Sequence, residues 1–239
     1  MKLTEKNFKQ NINNNYIFEN KPTIAIGVSG GPDSMALLFL LNQWIATVNG
    51  KLEALIVNHN LRNNSYDEAI SVHKYLKDKK IDSKILNVKK NQIKKRSMHE
   101  ARNNRYNLLT NFCKKNNILH LFMAHHKDDN IETFLTRKVS GSDFEGLESI
   151  RSSSLINKIN INRPLLEFCK KDIIKYNLRH RILFVKDPSN LNLNYTRPTL
   201  RNFLEQTSKK NINEITSEFL TIKKNIVLYK KMIFQILIK

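Results

Sequence analysis

The sequence predicts an α/β protein, a doubly wound parallel sheet followed by a small, mostly helical C-terminal extension. Three observations carry that prediction. Short runs rich in Ile and Val alternate along the chain with longer stretches whose apolar residues recur every three or four positions, as strands joined by crossover helices require. The run from Leu52 to Val57 is apolar without alternation, which suits a strand buried on both faces of a parallel sheet. Finally, Ile24 to Val28 feeds directly into Ser29-Gly30-Gly31-Pro32-Asp33-Ser34 and then into Met35-Ala36-Leu37-Leu38, a strand, a glycine turn and a helix in register.

Taken in order, residues 1–20 are rich in Asn and Lys with weak periodicity at Phe8, Ile12, Tyr16 and Phe18, which reads as a loose helix or arm ahead of the core. Residues 23–28 form the first strand, and 34–48 the helix after it, with Met35, Leu38, Leu41 and Ile45 on one face. A strand at 52–57, a helix at 66–80 (Ala69, Val72 and Leu76 at helical spacing), a strand at 84–88, a helix at 97–116 and a strand at 118–124 continue the alternation. A helix starts near Asp128, residues 140–162 hold a loop and a short strand, and 169–178 is helical. A short strand at 182–185 and a terminal helix complete the reading.

The chain has 239 residues, enough for one α/β domain and an appendage, and 40% of them are hydrophobic, which excludes a disordered protein. Its net charge of +20 points to a polyanionic partner such as RNA, or to an anionic membrane. Against this, Lys, Asn and Ile are abundant throughout, as AT-rich codon usage produces, so part of the excess is a basic, solvated surface. Cys113 and Cys169 form no Cys-x-x-Cys pair, which argues against a disulfide framework, zinc or an iron–sulfur cluster and fits a reducing compartment. No apolar leader opens the chain, and the apolar stretch at 226–238 is broken by Lys230 and Lys231. A soluble, cytoplasmic protein with no membrane partner is expected.

The loop after the first strand is suited to phosphate. Two glycines let the backbone approach a ligand, and the helix start aims N–H groups and the positive end of its dipole at one point. No lysine lies between Ser29 and Ser34, so the loop suits pyrophosphate held by backbone and hydroxyls rather than γ-phosphoryl transfer. The plainer alternative is a glycine turn ahead of a helix. At the same sheet edge His59 follows the second strand, either contacting nucleotide or capping backbone. After the fourth strand, Ala124-His125-His126-Lys127-Asp128-Asp129-Asn130-Ile131-Glu132-Thr133 gathers His125, Asp129 and Glu132 toward one helix face, with Asp128 four residues before Glu132. These acids suit Mg²⁺ or a substrate ammonium; Asp128 as N-cap and Asp129 as dipole partner is the other reading. Arg102 and Arg105 share a helix face and either clamp phosphates or solvate the helix.

These segments, with Gly141-Ser142, Gly146-Leu147, Arg163-Pro164-Leu165-Leu166 and Asp187-Pro188-Ser189-Asn190, follow in one order over roughly residues 22–205. Together the chain resembles the tRNA(Ile)-lysidine synthase family, within the N-type ATP pyrophosphatases that carry a PP-loop. The resemblance implies an adenine-nucleotide α-hydrolase-like fold divided into an N-terminal arm (1–20), a PP-loop ATP-binding domain (21–145), a tRNA-contacting region continuous with it (146–206) and a C-terminal helix (207–239). It implies a ligase that adenylates C2 of the wobble cytidine of a CAU-anticodon isoleucine tRNA and couples free L-lysine there, using ATP and Mg²⁺, with a homodimer left open.

Carried onto this sequence, the resemblance places ATP on Ser29, Gly30, Gly31, Pro32, Asp33, Ser34 and His59. Asp33 and Asp129 become candidates for Mg²⁺, and Asp128 and Glu132 for lysine binding or deprotonation, so that Asp33, Asp128, Asp129 and Glu132 form the catalytic set. Arg102, Arg105, Arg151, Arg163, Arg197 and Arg201 become candidates for tRNA phosphates. Departures are Pro198 within Arg197-Pro198-Thr199-Leu200-Arg201, Met98 ahead of Ala101-Arg102, Asp143 after Gly141-Ser142, and a further family domain that is apparently absent after Lys239. The alternatives are a truncated or degenerate relative that binds ATP or RNA without catalysis, and a tRNA cytidine thiolation enzyme, for which the two cysteines are poorly placed.

Overall fold

The structure is a computed structural model in which residues 2–58, 65–88, 98–185 and 196–237 are described. It divides into two compact units, Met1–His126 with Ser152–Lys186, and Lys127–Arg151 with Asp187–Lys239.

The first unit holds a six-stranded sheet in the order β3-β2-β1-β4-β6-β5, from β1 (Thr23–Val28), β2 (Lys51–Asn58), β3 (Ser83–Asn87), β4 (His120–Phe122), β5 (Ser153–Ile156) and β6 (Ile159–Asn162). All neighbours are parallel except the β5–β6 hairpin. The first crossover runs from β1 to β2 on one side, while β4 joins the opposite side of β1, so the chain reverses its winding at the C-terminal end of β1. Such a switch point is where open α/β sheets bind ligands.

Alternation along β1 builds both layers. Ile24, Ile26 and Val28 join one core with α1 (Glu5–Asn15), α2 (Pro32–Thr47), α3 (Ser65–Asp78) and α6 (Lys170–Arg179). Ala25 joins the other with Tyr106, Leu109 and Cys113 of α4 (Met98–Lys115). Gly27 faces that second layer, where a Cβ would meet Met123 Sδ at 3.0 Å and Leu109 Cδ1 at 3.2 Å, so α4 packs directly on backbone.

Two expectations change here. The N-terminal segment, expected as a loose helix or arm, is a capped helix packed into the core: Thr4 Oγ1 accepts the Asn7 N–H at 3.2 Å, Phe8 and Ile12 are buried, and Asn11 Nδ2 donates to the Pro164 carbonyl at 2.8 Å. Residues 182–185 form no strand, and the β5–β6 hairpin takes the sheet edge beside β4.

The second unit is helical, with α5 (Lys127–Val139), α7 (Thr196–Gln206) and α8 (Lys209–Leu237). α5 organises the turn that follows it. Asn130 Oδ1 accepts the Ile150 N–H at 2.8 Å, while Arg137 donates to the carbonyls of Gly146 and Ser149. Gly141, at φ +66°, closes the helix. Asp143, the departure noted in the sequence, caps the turn by accepting the Gly146 N–H at 2.7 Å. Phe134 meets Phe219 of α8 with ring centroids 5.2 Å apart, and Glu148 takes Lys230 of α8 together with Arg151. Partial burial pushes the Glu148 carboxyl up, but the bonds from Lys230 and Arg151 outweigh it and hold the group below the usual carboxylate range.

Phe8→Ala should lower the unfolding free energy by about 3–5 kcal/mol in denaturant titrations, the range for emptying a buried aromatic site; a loss near zero would return α1 to the surface. The Glu148 carboxyl is depressed in the fold, so its stabilisation is full above the ordinary carboxylate range and is lost as pH falls through the folded value. Glu148→Gln should therefore cost about 1 kcal/mol or less at pH 7, the scale of a partly exposed ion pair. That difference from the parent chain should close in melting curves taken near pH 2.

Candidate active site

In the first unit the Ser29–Ser34 loop sits at the C-terminal end of β1, at the switch point of the sheet. Its turn needs glycine at one position: Gly30 has φ +78°, and a Cβ there would stand 2.7 Å from Val72 Cγ2. Gly31 is the N-cap of α2 and Pro32 occupies its first turn, where the missing proline N–H breaks no helical bond. The next amides, on Asp33 and Ser34, have no acceptor inside the helix, which makes this end an anion seat.

Serines tie the loop into shape. The Ser34 hydroxyl donates to the Gly31 carbonyl at 3.0 Å and accepts the Ser29 N–H at 3.2 Å, while Ser29 Oγ accepts the Gly31 N–H at 3.3 Å. Ser34 is buried and Ser29 exposed, so Ser34 shapes the loop and Ser29 borders solvent.

Residues far along the chain complete the frame. The Val185 N–H donates to the Gly30 carbonyl at 2.9 Å, and Asn177 Nδ2 to the Pro32 carbonyl at 2.8 Å. Lys170 Nζ bridges both carboxylate oxygens of Asp33, and His126 Nε2 lies 3.8 Å from Asp33 Oδ1. Sequence reading missed Lys170, Asn177 and Val185. The available signal was the buried stripe of α6: Ile173 and Asn177 are fully buried, and Lys170 precedes them by three and seven positions on the same face.

The acids after β4 belong to the second unit. α5 starts at Lys127, so Asp128 and Asp129 are both first-turn residues, and Asp128 is not the N-cap. Their charges complement the helix dipole. Glu132 lies one turn on and is buried. His59 and the Asp187-Pro188-Ser189-Asn190 motif lie outside the described residues, as do the side chains of Arg197 and Arg201, whose backbone is in α7.

The candidate arginines differ in their surroundings. Arg163 is buried and donates to Ser154 Oγ at 3.0 Å, so it braces β5 from within rather than meeting a phosphate at the surface. The Arg163-Pro164-Leu165-Leu166 motif is accordingly a packing element, with Leu165 fully buried. Arg102 stacks over the Tyr106 ring at 5.1 Å, and Arg151 Nε donates to Glu148 at 2.9 Å with its side chain half exposed. Arg105 is on the same helix as Arg102, one turn further along.

Asp33 suits Mg²⁺ chemically, since that ion binds through one or two carboxylates and completes its shell with phosphate oxygens and water. Among the described residues no group of three or more His, Cys, Asp or Glu side chains gathers to hold a metal alone. The donor set thus fits an ion that arrives with phosphate. Sulfur chemistry has a poor footing: Cys113 is wholly buried against the α4 layer, and burial pushes its thiol up to about 12. Cys169 caps α6 and its thiol donates to Asp172 at 3.1 Å. No helix among the described residues is long and apolar enough to cross a membrane.

The chain is similar to known proteins in sequence and in fold. The profile of the PP-loop domain matches residues 2–208. The tRNA(Ile)-lysidine synthase of Wolbachia pipientis wMel is 43% identical over 205 residues, covering 85% of this chain and 47% of that protein. That of Orientia tsutsugamushi (strain Boryong) is 37% identical over 224 residues, covering 94% and 50%. The chain thus spans about half the length of the curated relatives it matches. Among solved structures, the U34-tRNA thiolase NcsA from Methanococcus maripaludis superposes with a TM-score of 0.72 at 19% identity over 92% of this chain and 79% of that one, a likeness of fold.

Gly30→Ala should destabilise the chain by about 1–3 kcal/mol, the cost of holding a side chain at positive φ against a neighbouring methyl. Gly31→Ala, where φ is −73° and the new Cβ would meet Ser29 Oγ at 3.4 Å, should change stability little. Thermal melts of the two variants side by side make the comparison.

Proposed function

The chain belongs to the PP-loop domain family, and from that premise we propose that it uses ATP to join lysine to C2 of the wobble cytidine of a CAU-anticodon isoleucine tRNA. The observation that carries this reading is a phosphate-ready loop in a chain similar over most of its length to relatives named tRNA(Ile)-lysidine synthase. The demands of the reaction are separable. An inert amide-like carbonyl must become a leaving centre, a pyrophosphate must be released, and lysine must attack as a free amine.

The loop addresses the first two. Backbone amides of Gly30, Asp33 and Ser34 and the Ser29 hydroxyl hold the leaving pyrophosphate, with the dipole of α2 behind them. The cytidine O2 attacks the α-phosphorus, the bond from that phosphorus to the bridging oxygen breaks, and the pyrophosphate keeps the electron pair on its cradle. Asp33 would hold Mg²⁺, which supplies neutralisation of the charge developing on the phosphate oxygens. A loop without its own lysine thus serves cleavage between the α- and β-phosphates.

Lysine arrives as an ammonium ion and attacks as an amine, so a base must hold its proton. We assign this to the carboxylates of Asp128 and Glu132, four residues apart on α5. The amine nitrogen bonds to C2, the C2–O bond to AMP breaks, and the proton passes to carboxylate. Arg102, Arg105, Arg151, Arg197 and Arg201 take tRNA phosphates, giving salt-sensitive affinity while the base pocket supplies choice. The reaction is placed in the cytoplasm, where its three substrates meet.

The test is incorporation of radiolabelled lysine into unmodified CAU-anticodon isoleucine tRNA with ATP and Mg²⁺, beside methionine tRNA with the same anticodon. Label in the isoleucine tRNA, dependent on ATP, is the expected result. Folded, ATP-binding protein that transfers no label overturns the ligase reading and leaves a nucleotide- or RNA-binding relative.

A further inference from the structure

We propose that Lys170 is the phosphate-binding cation missing from the loop sequence, held on Asp33 until nucleotide and metal arrive. The inference rests on the reading of the Ser29–Ser34 loop as a pyrophosphate cradle.

Charge balance at the loop raises the problem. The helix start supplies about half a positive charge, against the several negative charges of a polyphosphate. Asp33 adds a negative charge in that same first turn. Left alone, this carboxylate would oppose the anion that the backbone is shaped to receive. Lys170 answers both needs, because its ammonium contacts the two Asp33 oxygens at once. Without ligand the pair is neutral.

The pair can also open. Side-chain exposure is 34% at Lys170 and 25% at Asp33, so water can screen each partner as contacts exchange. The base of the lysine, by contrast, is fixed. α6 is anchored by fully buried Ile173 and by Asn177, whose amide grips the Pro32 carbonyl inside the loop itself. A flexible four-carbon stem with three donors therefore pivots from a rigid helix beside the cradle. When Mg²⁺ enters with nucleotide, Asp33 turns to the metal, which prefers hard oxygen. Lys170 turns to a phosphate oxygen, and every charge keeps a partner. The mechanism above places no other residue of α6 on substrate.

A static brace and an exchanging pair differ in sign. If the ion pair only holds α6 to α2, removing either end should act alike on ligand affinity. If Lys170 exchanges, removing Asp33 releases the lysine from that carboxylate, whereas removing Lys170 takes the ammonium from the carboxylate. Titration calorimetry of the full chain with inorganic pyrophosphate and with ATP, in EDTA and in Mg²⁺, distinguishes these cases for the parent, Lys170→Ala, Lys170→Arg, Asp33→Asn and the double variant Lys170→Ala/Asp33→Asn.

In EDTA, Lys170→Ala should weaken pyrophosphate binding about tenfold, the scale of a charge-assisted bond, and Lys170→Arg should keep most of it. Asp33→Asn should bind metal-free pyrophosphate more tightly than the parent and lose the gain that Mg²⁺ brings. The double variant should lose the Asp33→Asn advantage. Equal affinities for parent and Lys170→Ala, or the same direction of change for Lys170→Ala and Asp33→Asn, overturn the exchange and leave a brace. If Lys170→Ala does not fold, as circular dichroism would show, the signs for Asp33→Asn and Lys170→Arg still decide. A parent chain that binds neither ligand overturns the cradle reading and this inference together.

Discussion

One tight turn with a positive φ at Gly30 depends on bonds that arrive from the far side of the sequence. Val185 reaches the Gly30 carbonyl, Asn177 the Pro32 carbonyl and Lys170 the Asp33 carboxylate, so two carbonyls and the carboxylate of the turn are fixed by three different distant residues. Serine hydroxyls close the same turn locally. With its carbonyls turned to protein, the turn leaves the helix-start amides for an anion. The switch point supplies the location and α6 the rigidity.

How much of this was legible follows from the range of the contacts. β1, the turn and α2 could be read because strand alternation, glycine and helical periodicity are local signals. The doubly wound class could be read because strands alternating with helices leave few other architectures. Lys170 could not be separated from its neighbour Lys171 by composition, since its partner lies 137 residues away. The burial of Arg163 was hidden for the opposite reason. An arginine before Pro-Leu-Leu looks like surface charge, yet a serine on β5 accepts from it inside the fold. The arm that became α1 shows the same limit: Phe8 and Ile12 carry too few apolar neighbours in sequence to declare a core helix, and the packing partners come from elsewhere.

The excess of 41 basic over 21 acidic residues acts differently from the individual arginines. Arg102 is occupied by an aromatic ring, Arg137 by backbone carbonyls and Arg151 in part by Glu148. Local bonding orients these side chains without cancelling the field of the whole chain. A polyanion is attracted by that field over a distance set by salt, while any choice among polyanions has to come from short-range contacts. Glu148 shows the balance at small scale, since two cations around one carboxylate secure a turn and still leave the neighbourhood positive.

The span between the turn and its clamps also sets an order of assembly. A growing chain that has emerged from the ribosome only through β4 already contains every residue of the turn, but none of the groups at positions 170, 177 and 185 that hold it. The apolar strands can pair at that stage, and the hairpin of β5 and β6 can add to the edge. The anion seat, however, is finished only when the sheet is nearly complete and α6 folds back across more than half the chain. Nascent protein therefore carries the turn before the groups that clamp it have been made.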